Sequence, residues 1–204
     1  MAGVSRRTTP IHIIGRKNSG KTTLICELVG QLCARGYRVG TIKHTSHRHE
    51  LDTPGKDSQR HRTEGAIVSG IISPGLCATF WPTPINSEAE DKYSKILRMY
   101  DDCDLVLVEG DTQTSAPKIE VWRSTTDGVP FATAGLDVLA VVTDEPLACP
   151  VPVWSRSDVP GLIHRILEIA GFDKSADSMR EAASVPPQDL AVSSSSPIAS
   201  CSGR

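Results

Sequence analysis

The sequence predicts a three-layer α/β sandwich, in which helices cover both faces of a mainly parallel sheet. Continuous apolar runs at Ile11–Ile14, 105–108 and 138–143 are typical of strands that are buried on both faces. Apolar residues recur at helical spacing across 21–35, directly after the first run, and strand character returns at 37–43. A strand, a helix and a second strand in this order predict a right-handed crossover between parallel strands.

The remaining segments extend this pattern into one domain over residues 1–171. Segment 118–122 alternates polar and apolar side chains, which predicts an edge or antiparallel strand. An edge strand there would be free to pair across the two-fold axis of a dimer. Helices are also predicted at about 56–65, 88–100 and 159–169, and a short strand at 76–81.

The C-terminal segment 172–204 differs in composition from this domain. It contains nine serines and three prolines among 33 residues, and Phe172 is its single aromatic residue. Such a segment buries too little apolar surface to offset the entropy lost on ordering. We therefore expect a disordered tail.

Composition argues against nucleic acid and membranes as partners. The net charge is −2 and aromatic residues make up only 4% of the chain, so neither an overall basic surface nor base-stacking platforms are expected. The sequence contains no run of 18 apolar residues and no apolar stretch of the kind found in secretory signals. The six cysteines form no C-x-x-C pair, which favours a reduced, cytoplasmic protein.

The segment after the first strand completes the pattern G-x-x-x-x-G-K-[ST]. Gly15 and Gly20 permit a tight turn, and successive backbone N–H groups at the start of the next helix face an anion. Lys21 supplies a cation for the β- and γ-phosphates, and Thr22 places a hydroxyl for Mg²⁺. The sequence thus predicts a P-loop NTPase. Its candidate nucleotide-binding residues here are Gly15, Arg16, Lys17, Asn18, Ser19, Gly20, Lys21, Thr22 and Thr23.

Acidic residues flank the strand at 105–108. Asp104 and Glu109 would lie about 16 Å apart along an extended strand. Because ligands collect at the carboxyl ends of parallel strands, Glu109 is the candidate contact for Mg²⁺ or water, and Asp104 caps the start of the strand. Asp57, in a polar segment, is a candidate for the same contacts through a mobile loop. The candidate catalytic residues are therefore Lys21, Asp57 and Glu109.

Two further sets of polar residues leave alternatives open. Asp144 follows the strand at 138–143 and can accept hydrogen bonds from N1 and N2 of guanine, or it can simply form a turn. The N-K-x-D signature of guanine-binding proteins is absent there. His44, His47 and His49 can bind a transition metal ion, or they can belong to a solvated loop.

Five segments together resemble the molybdopterin-guanine dinucleotide biosynthesis protein B (MobB) family. They are 15–23, 41–44 (Thr-Ile-Lys-His), 52–58 (Asp-Thr-Pro-Gly-Lys-Asp-Ser), 108–110 (Val-Glu-Gly) and 117–121 (Pro-Lys-Ile-Glu-Val). The resemblance covers about residues 10–171. The block at 52–58, in register with the other segments, makes it far more specific than the phosphate loop alone.

This resemblance implies a cytoplasmic homodimer that binds GTP and Mg²⁺, hydrolyses GTP weakly and assists a MobA-like guanylyltransferase. Molybdopterin itself is a further candidate ligand. By position, residues 15–22 would hold the phosphates, Thr22 and Glu109 would face Mg²⁺, and Asp57 would lie in a flexible acidic segment.

Charge and local sequence add two expectations to those of the family. Lys43, Arg60 and Arg62 are candidate contacts for an anionic partner. After Gly110, the family's aromatic residue and Lys are replaced by residues 111–113 (Asp-Thr-Gln), which exchanges a cation for a negative charge. We expect this exchange to weaken hydrolysis further or to alter a partner contact.

Two alternative functions compete with a GTP-binding accessory protein. A small-molecule or nucleotide kinase would need an Arg-rich lid after a central helix, which the sequence does not offer beyond residue 62. A GTP-dependent metallochaperone would need metal binding by the three histidines at 44, 47 and 49.

Overall fold

A computed structural model of the chain describes residues 9–47, 49–82 and 89–172, with only the backbone described at 89–92. The disordered tail predicted at 172–204 lies outside these residues except for Phe172, so it stays a prediction.

Within the described residues, six strands form one fully parallel sheet, and two further strands form a separate antiparallel hairpin. The order in the sheet is β2-β5-β1-β6-β7-β8, and β3 pairs with β4. The strands are β1 (Ile11–Ile14), β2 (Val39–Lys43), β3 (Ser69–Ser73), β4 (Leu76–Phe80), β5 (Leu105–Glu109), β6 (Lys118–Val121), β7 (Ala140–Val142) and β8 (Val153–Trp154). The helices are α1 (Lys21–Ala34), α2 (Asp57–Thr63), α3 (Ala89–Leu97) and α4 (Val159–Ile169), with a 3₁₀ turn at Arg98–Tyr100.

Helices pack on both faces of the sheet, which confirms the three-layer sandwich. On one face, α1 and α4 bury Leu28 and Ile163 in a core that includes Leu107 of β5. On the other face, Tyr93 of α3 packs against Val106. Alternate residues of each central strand thus enter different cores, as expected where both faces are covered.

The prediction of an edge or antiparallel strand at 118–122 is wrong, because β6 is parallel to both of its neighbours. β6 pairs with β1 on one side and with β7 on the other, so it is an interior strand with no free edge for pairing across a two-fold axis. Its polar residues are buried with backbone partners. The Lys118 ammonium donates to the carbonyl oxygen of Thr114 (2.8 Å), and the Glu120 carboxylate accepts from the N–H groups of Phe131 (2.7 Å) and Ala132 (3.0 Å).

The segment at 52–58 belongs to a small unit formed by α2 and the hairpin. The Asp52 carboxylate accepts from the Ser58 hydroxyl (2.9 Å), and the Ser69 hydroxyl of β3 donates to the Ser58 carbonyl oxygen (3.0 Å). Arg62 donates to the Glu50 carboxylate (2.6 Å), so its charge is used within this unit. The anionic-partner contact expected of Arg62 is not supported by this geometry.

The cysteines and the helices also bear on the expectations from the sequence. The cysteines within the described residues are all free thiols. Among the helices of these residues, none combines the length and apolar character needed to cross a membrane.

Candidate phosphate-binding site

The phosphate loop lies where the carboxyl ends of β1, β5 and β6 meet. It connects β1 directly to the N-terminus of α1, and its backbone adopts left-handed conformations at Gly20 (φ 96°) and Asn18 (φ 63°). Gly15 is required by space as well, because a Cβ atom there would collide with the carbonyl oxygen of Val121 at the end of β6. The loop thus has the tight turn and the exposed N–H groups that an anion site requires.

The predicted cation and metal ligands of this site come together beside the loop. The Thr22 hydroxyl lies 3.0 Å from each carboxylate oxygen of Glu109, to which it donates. The Lys43 ammonium, at the end of β2, forms an ion pair with the same carboxylate. Lys21 donates to the carbonyl oxygen of Arg16 (2.6 Å), and burial lowers the pKa of its ammonium while Glu109 opposes this shift.

These groups face a cavity of about 1020 Å³, which is large enough for a nucleotide. The phosphate loop forms its floor, the ends of β2 and β5 form one wall, and Arg123 with Phe131 forms the other. Sequence analysis did not single out Arg123 or Phe131. The position of Arg123 directly after β6 was the available signal, and the wrong interpretation of that strand as an edge concealed it.

Behind the cavity, the structure reveals a buried polar network that sequence analysis missed. Tyr93 of α3 donates to the Asp111 carboxylate (2.9 Å), and its ring meets His12 of β1 edge to face at 5.2 Å. His12 Nδ1 donates to the Gly110 carbonyl oxygen (3.1 Å), and its Nε2 has no hydrogen-bond partner among the described residues. Burial lowers the pKa of His12, and burial together with the bond to Asp111 raises that of Tyr93.

Asp111 departs from the expectation that it adds a free negative charge to the site. Although burial alone would raise its pKa, hydrogen bonds from Tyr93 and the Gln113 N–H and the nearby His44 lower it. The carboxylate is buried, and His44 Nε2 lies 3.9 Å from it. Asp111 therefore has a structural role, since its carboxylate connects α3 to the segment after β5.

The structure does not bring Asp57 to the cavity. Its side chain is 90% exposed at the start of α2, where it lies 4.0 Å from Arg60. Asp57 is absent from the residues that line the cavity. Its predicted contact with Mg²⁺ or water stays a prediction, which requires this segment to move.

Asp144 lies at the end of β7 and is held by the segment after β8. Its Oδ1 accepts from the Ser155 hydroxyl (2.7 Å) and from the backbone N–H of Ser157 (2.9 Å). These hydrogen bonds lower the pKa of the carboxyl group. The residue therefore links two strand ends, in agreement with the structural alternative for it, and its guanine contact stays a prediction.

The histidines considered as metal ligands do not form a closed site. The His47 and His49 rings are 6.1 Å apart, and His44 faces Asp111. Across the described ranges, no group of three or more His, Cys, Asp or Glu side chains is arranged to hold a metal ion.

Comparison with known proteins agrees with this geometry. The family model described as molybdopterin guanine dinucleotide synthesis protein B (MobB) matches residues 11–144. The chain belongs to the MobB family. The matched range begins with β1 and ends at Asp144, so it contains the phosphate loop and all the strand ends that surround the cavity.

Curated MobB relatives extend over most of the chain. The molybdopterin-guanine dinucleotide biosynthesis adapter protein of Escherichia coli (strain K12) is 36% identical over 154 residues, which are 74% of this chain and 86% of that protein. The protein of the same name from Haemophilus influenzae is 36% identical over 165 residues, 79% of this chain and 85% of its own length. The MobB homologue from Bacillus stearothermophilus, a crystal structure, superimposes with a TM-score of 0.55 at 28% identity, covering 79% of this chain and 97% of that one.

Proposed function

We propose that this chain is a GTP-binding adapter protein that acts in molybdenum cofactor biosynthesis. Its membership of the MobB family gives the role in the pathway, and its curated relatives bear the name adapter protein. The observation that carries the proposal is the phosphate loop, with Lys21, Thr22 and Glu109 brought together at one edge of the sheet. Family membership also disfavours the kinase and metallochaperone alternatives.

The phosphate loop would hold the β- and γ-phosphates through its backbone N–H groups. Phosphate oxygens would replace the Arg16 carbonyl oxygen as the acceptor for Lys21, which is a stronger, charge-assisted hydrogen bond. The lowered pKa of Lys21 reflects burial, and a bound phosphate would offset that cost by pairing with the cation.

Thr22 and Glu109 fit Mg²⁺ by the chemistry of their donor atoms. A hydroxyl and a carboxylate within 3.0 Å of each other are hard oxygen ligands, which Mg²⁺ prefers together with water and phosphate. Bound there, Mg²⁺ would neutralise phosphate charge. Lys43, now paired with Glu109, would be released toward the phosphates or the solvent.

Asp144 is the candidate contact for guanine, and because it lies outside the residues that line the cavity, this contact requires the base to extend beyond them toward the end of β7. Its hydrogen bonds from Ser155 and Ser157 go to Oδ1 and fix the orientation of the carboxylate. The carboxylate is exposed, and N1 and N2 of guanine are donors that adenine does not present in the same positions.

Hydrolysis of GTP would be slow in this protein. Among the described residues that line the cavity, the carboxylates are Glu109 and Asp111. Glu109 is engaged by Thr22 and Lys43, and Asp111 by Tyr93 and a backbone N–H. Neither is free to orient an attacking water, so activity would depend on Asp57 approaching the site or on a partner protein.

The hairpin supports a homodimer. Ile72 and Leu76 are 91% and 73% exposed, and Ile67 and Val68 just before β3 are exposed as well. A two-stranded hairpin with exposed apolar side chains is marginally stable alone, and pairing with a second copy would bury this surface. A two-fold contact through the hairpin replaces the contact predicted for β6.

The adapter role is tested by recovery of the partner. Tagged wild-type protein from cells grown with molybdate is expected to retain the MobA-like guanylyltransferase when GTP and Mg²⁺ are present. The Lys21→Ala variant is expected to retain much less of it, since docking would depend on the nucleotide. If the wild-type protein recovers no enzyme of the cofactor pathway, the adapter role is wrong. Addition of molybdopterin to the same samples tests whether this candidate ligand strengthens the complex.

A further inference from the structure

Arg123 places its guanidinium group directly on the phosphate loop. A Cβ atom at position 20 would lie 3.0 Å from Nη2 and 3.3 Å from Cζ of Arg123, so the guanidinium group lies against the backbone of the loop. Gly20 immediately precedes Lys21, the phosphate-binding lysine. Arg123 also lines the 1020 Å³ cavity, on the side of β6. Its charge therefore lies within reach of anything bound to the loop.

The backbone around Arg123 is fixed by hydrogen bonds on both sides. The Trp122 N–H donates to the Val142 carbonyl oxygen (3.1 Å), and the Ser124 N–H donates to the Glu145 carboxylate (3.0 and 3.1 Å). The carbonyl oxygen of Arg123 accepts from both the N–H (3.0 Å) and the hydroxyl (2.7 Å) of Thr126. The backbone position of Arg123 is thus set by the fold, while its exposed side chain becomes ordered on binding.

Three other cations at the loop are already engaged, whereas Arg123 and Lys17, which both line the cavity, show no side-chain partner among the described residues. Lys21 donates to a loop carbonyl, and Lys43 pairs with a carboxylate. Arg16 donates to the Val129 carbonyl oxygen and lies 4.8 Å from the centre of the Phe131 ring. Within the described part of the chain, the Arg123 guanidinium has no hydrogen-bond acceptor, although it carries five N–H donors in a planar fork that fits phosphate oxygens.

We propose that Arg123 is a binding residue for the phosphate chain of the nucleotide. It would contact the phosphates from the β6 side, across the loop from Thr22 and Glu109, and neutralise charge that Lys21 and a metal ion do not reach. This inference rests on the proposed nucleotide-binding function. The contact needs no partner protein, because β6 supplies the arginine from the same chain, and it is open to a nucleoside diphosphate as well as a triphosphate.

Binding of GDP and GTP to the wild-type protein and to Arg123→Gln, measured by calorimetry with Mg²⁺, tests this inference. A lost hydrogen-bonded contact to a charged group predicts about a 10- to 100-fold weaker affinity for both nucleotides. Arg123→Lys is expected to recover part of the affinity, because it restores the charge without the fork. Arg98→Gln, in the 3₁₀ turn outside the cavity, is the matched control and should bind like the wild type.

The melting temperature of each variant without nucleotide separates binding from folding. Weaker binding by Arg123→Gln at an unchanged melting temperature supports the contact. Unchanged affinity, or a loss of affinity that merely follows a lower melting temperature, overturns it. If the wild-type protein binds neither nucleotide, the proposed function itself fails, which is a different result from equal binding by wild type and variant.

Discussion

At the scale of single residues, Glu109 joins the strand β5 to the phosphate loop. Its carboxylate accepts from Thr22 and pairs with Lys43, so one side chain connects a candidate metal ligand, a cation and a strand end. The Glu109 carboxylate can exchange its ion pair with the Lys43 ammonium for a bond to a divalent cation, because both the ion pair and the metal bond are electrostatic.

Glu109→Gln is expected to reduce the Mg²⁺ dependence of GTP binding. The wild-type affinity should fall when Mg²⁺ is chelated, whereas the variant should bind GTP almost equally with and without Mg²⁺, since the amide is a poor metal ligand. Titration of GTP with Mg²⁺ or with a chelator measures this. Asp104→Asn, at the opposite end of β5, is the control and should keep the dependence. A Glu109→Gln variant that keeps the full dependence would rule out the metal site.

His12 predicts a pH dependence of stability. Because burial lowers its pKa, the folded protein takes up a proton on this histidine at a lower pH than the unfolded chain, which does so below about pH 6.5. Keeping His12 neutral therefore costs no stability above that pH. As the pH falls below it, proton uptake by the unfolded chain lowers the free energy of unfolding. His12→Gln should reduce the slope between pH 6.5 and 5 by up to about 1.4 kcal/mol per pH unit.

Urea unfolding at a series of pH values measures this slope. The exposed His47 provides the control, and His47→Gln should leave the slope unchanged. An equal slope in the wild type and in His12→Gln would show that His12 does not carry the effect.

Some of these residue roles were available from the sequence and some were not. Lys21, Thr22 and Glu109 were, because a fixed motif and the end of an apolar strand place them. His12, Tyr93 and Asp111 were not, since they come from different elements and nothing in local spacing indicates that they meet.

At the scale of elements, β6 positions much of the site although it was predicted as an edge. Its alternating polar residues indicated that one face of the strand is exposed to solvent, but loops cover that face. Glu120 accepts two backbone N–H groups of the loop that carries Phe131, and Lys118 donates to the preceding loop. β1 and β5 were predictable from nearly continuous apolar runs, and α1 and α4 from apolar residues at helical spacing, whereas β8, with only two residues, carries no periodicity.

Glu120→Ala is expected to lower the free energy of unfolding by about 2–4 kcal/mol, because it leaves two buried N–H groups without an acceptor. Glu120→Gln keeps one acceptor oxygen and should lose less. Urea unfolding measures both variants, with Glu64→Ala on the surface as the control. If Glu120→Ala is as stable as the wild type, these hydrogen bonds do not hold the loop.

At the scale of the whole molecule, the chain combines a rigid nucleotide-binding sheet with a hairpin unit that presents apolar surface. The sheet buries its central strands β1, β5, β6 and β7, whereas the hairpin exposes Ile72 and Leu76. A proposed nucleotide site at the sheet and a separate proposed protein contact at the hairpin together match the organisation expected of an adapter.

Ile72→Lys is expected to convert a dimer into a monomer without unfolding it. The side chain is 91% exposed, so the substitution removes no core contact within the chain and places a charge in the proposed two-fold contact. Sedimentation equilibrium measures the mass. Met99→Lys, an exposed apolar residue outside the hairpin, is the control and should leave the mass unchanged. A dimer that survives Ile72→Lys would place the contact elsewhere.

The phosphate loop is expected to make this MobB family member a GTP-binding protein. A comparison of the GTP and ATP affinities of the wild-type protein and of Lys21→Ala, with Mg²⁺ present, tests this most directly. We predict that GTP binds at least about tenfold more tightly than ATP, as a charge-assisted contact to guanine would give, and that Lys21→Ala loses most of the binding. Equal affinity for GTP and ATP, or binding unaffected by Lys21→Ala, would contradict this claim.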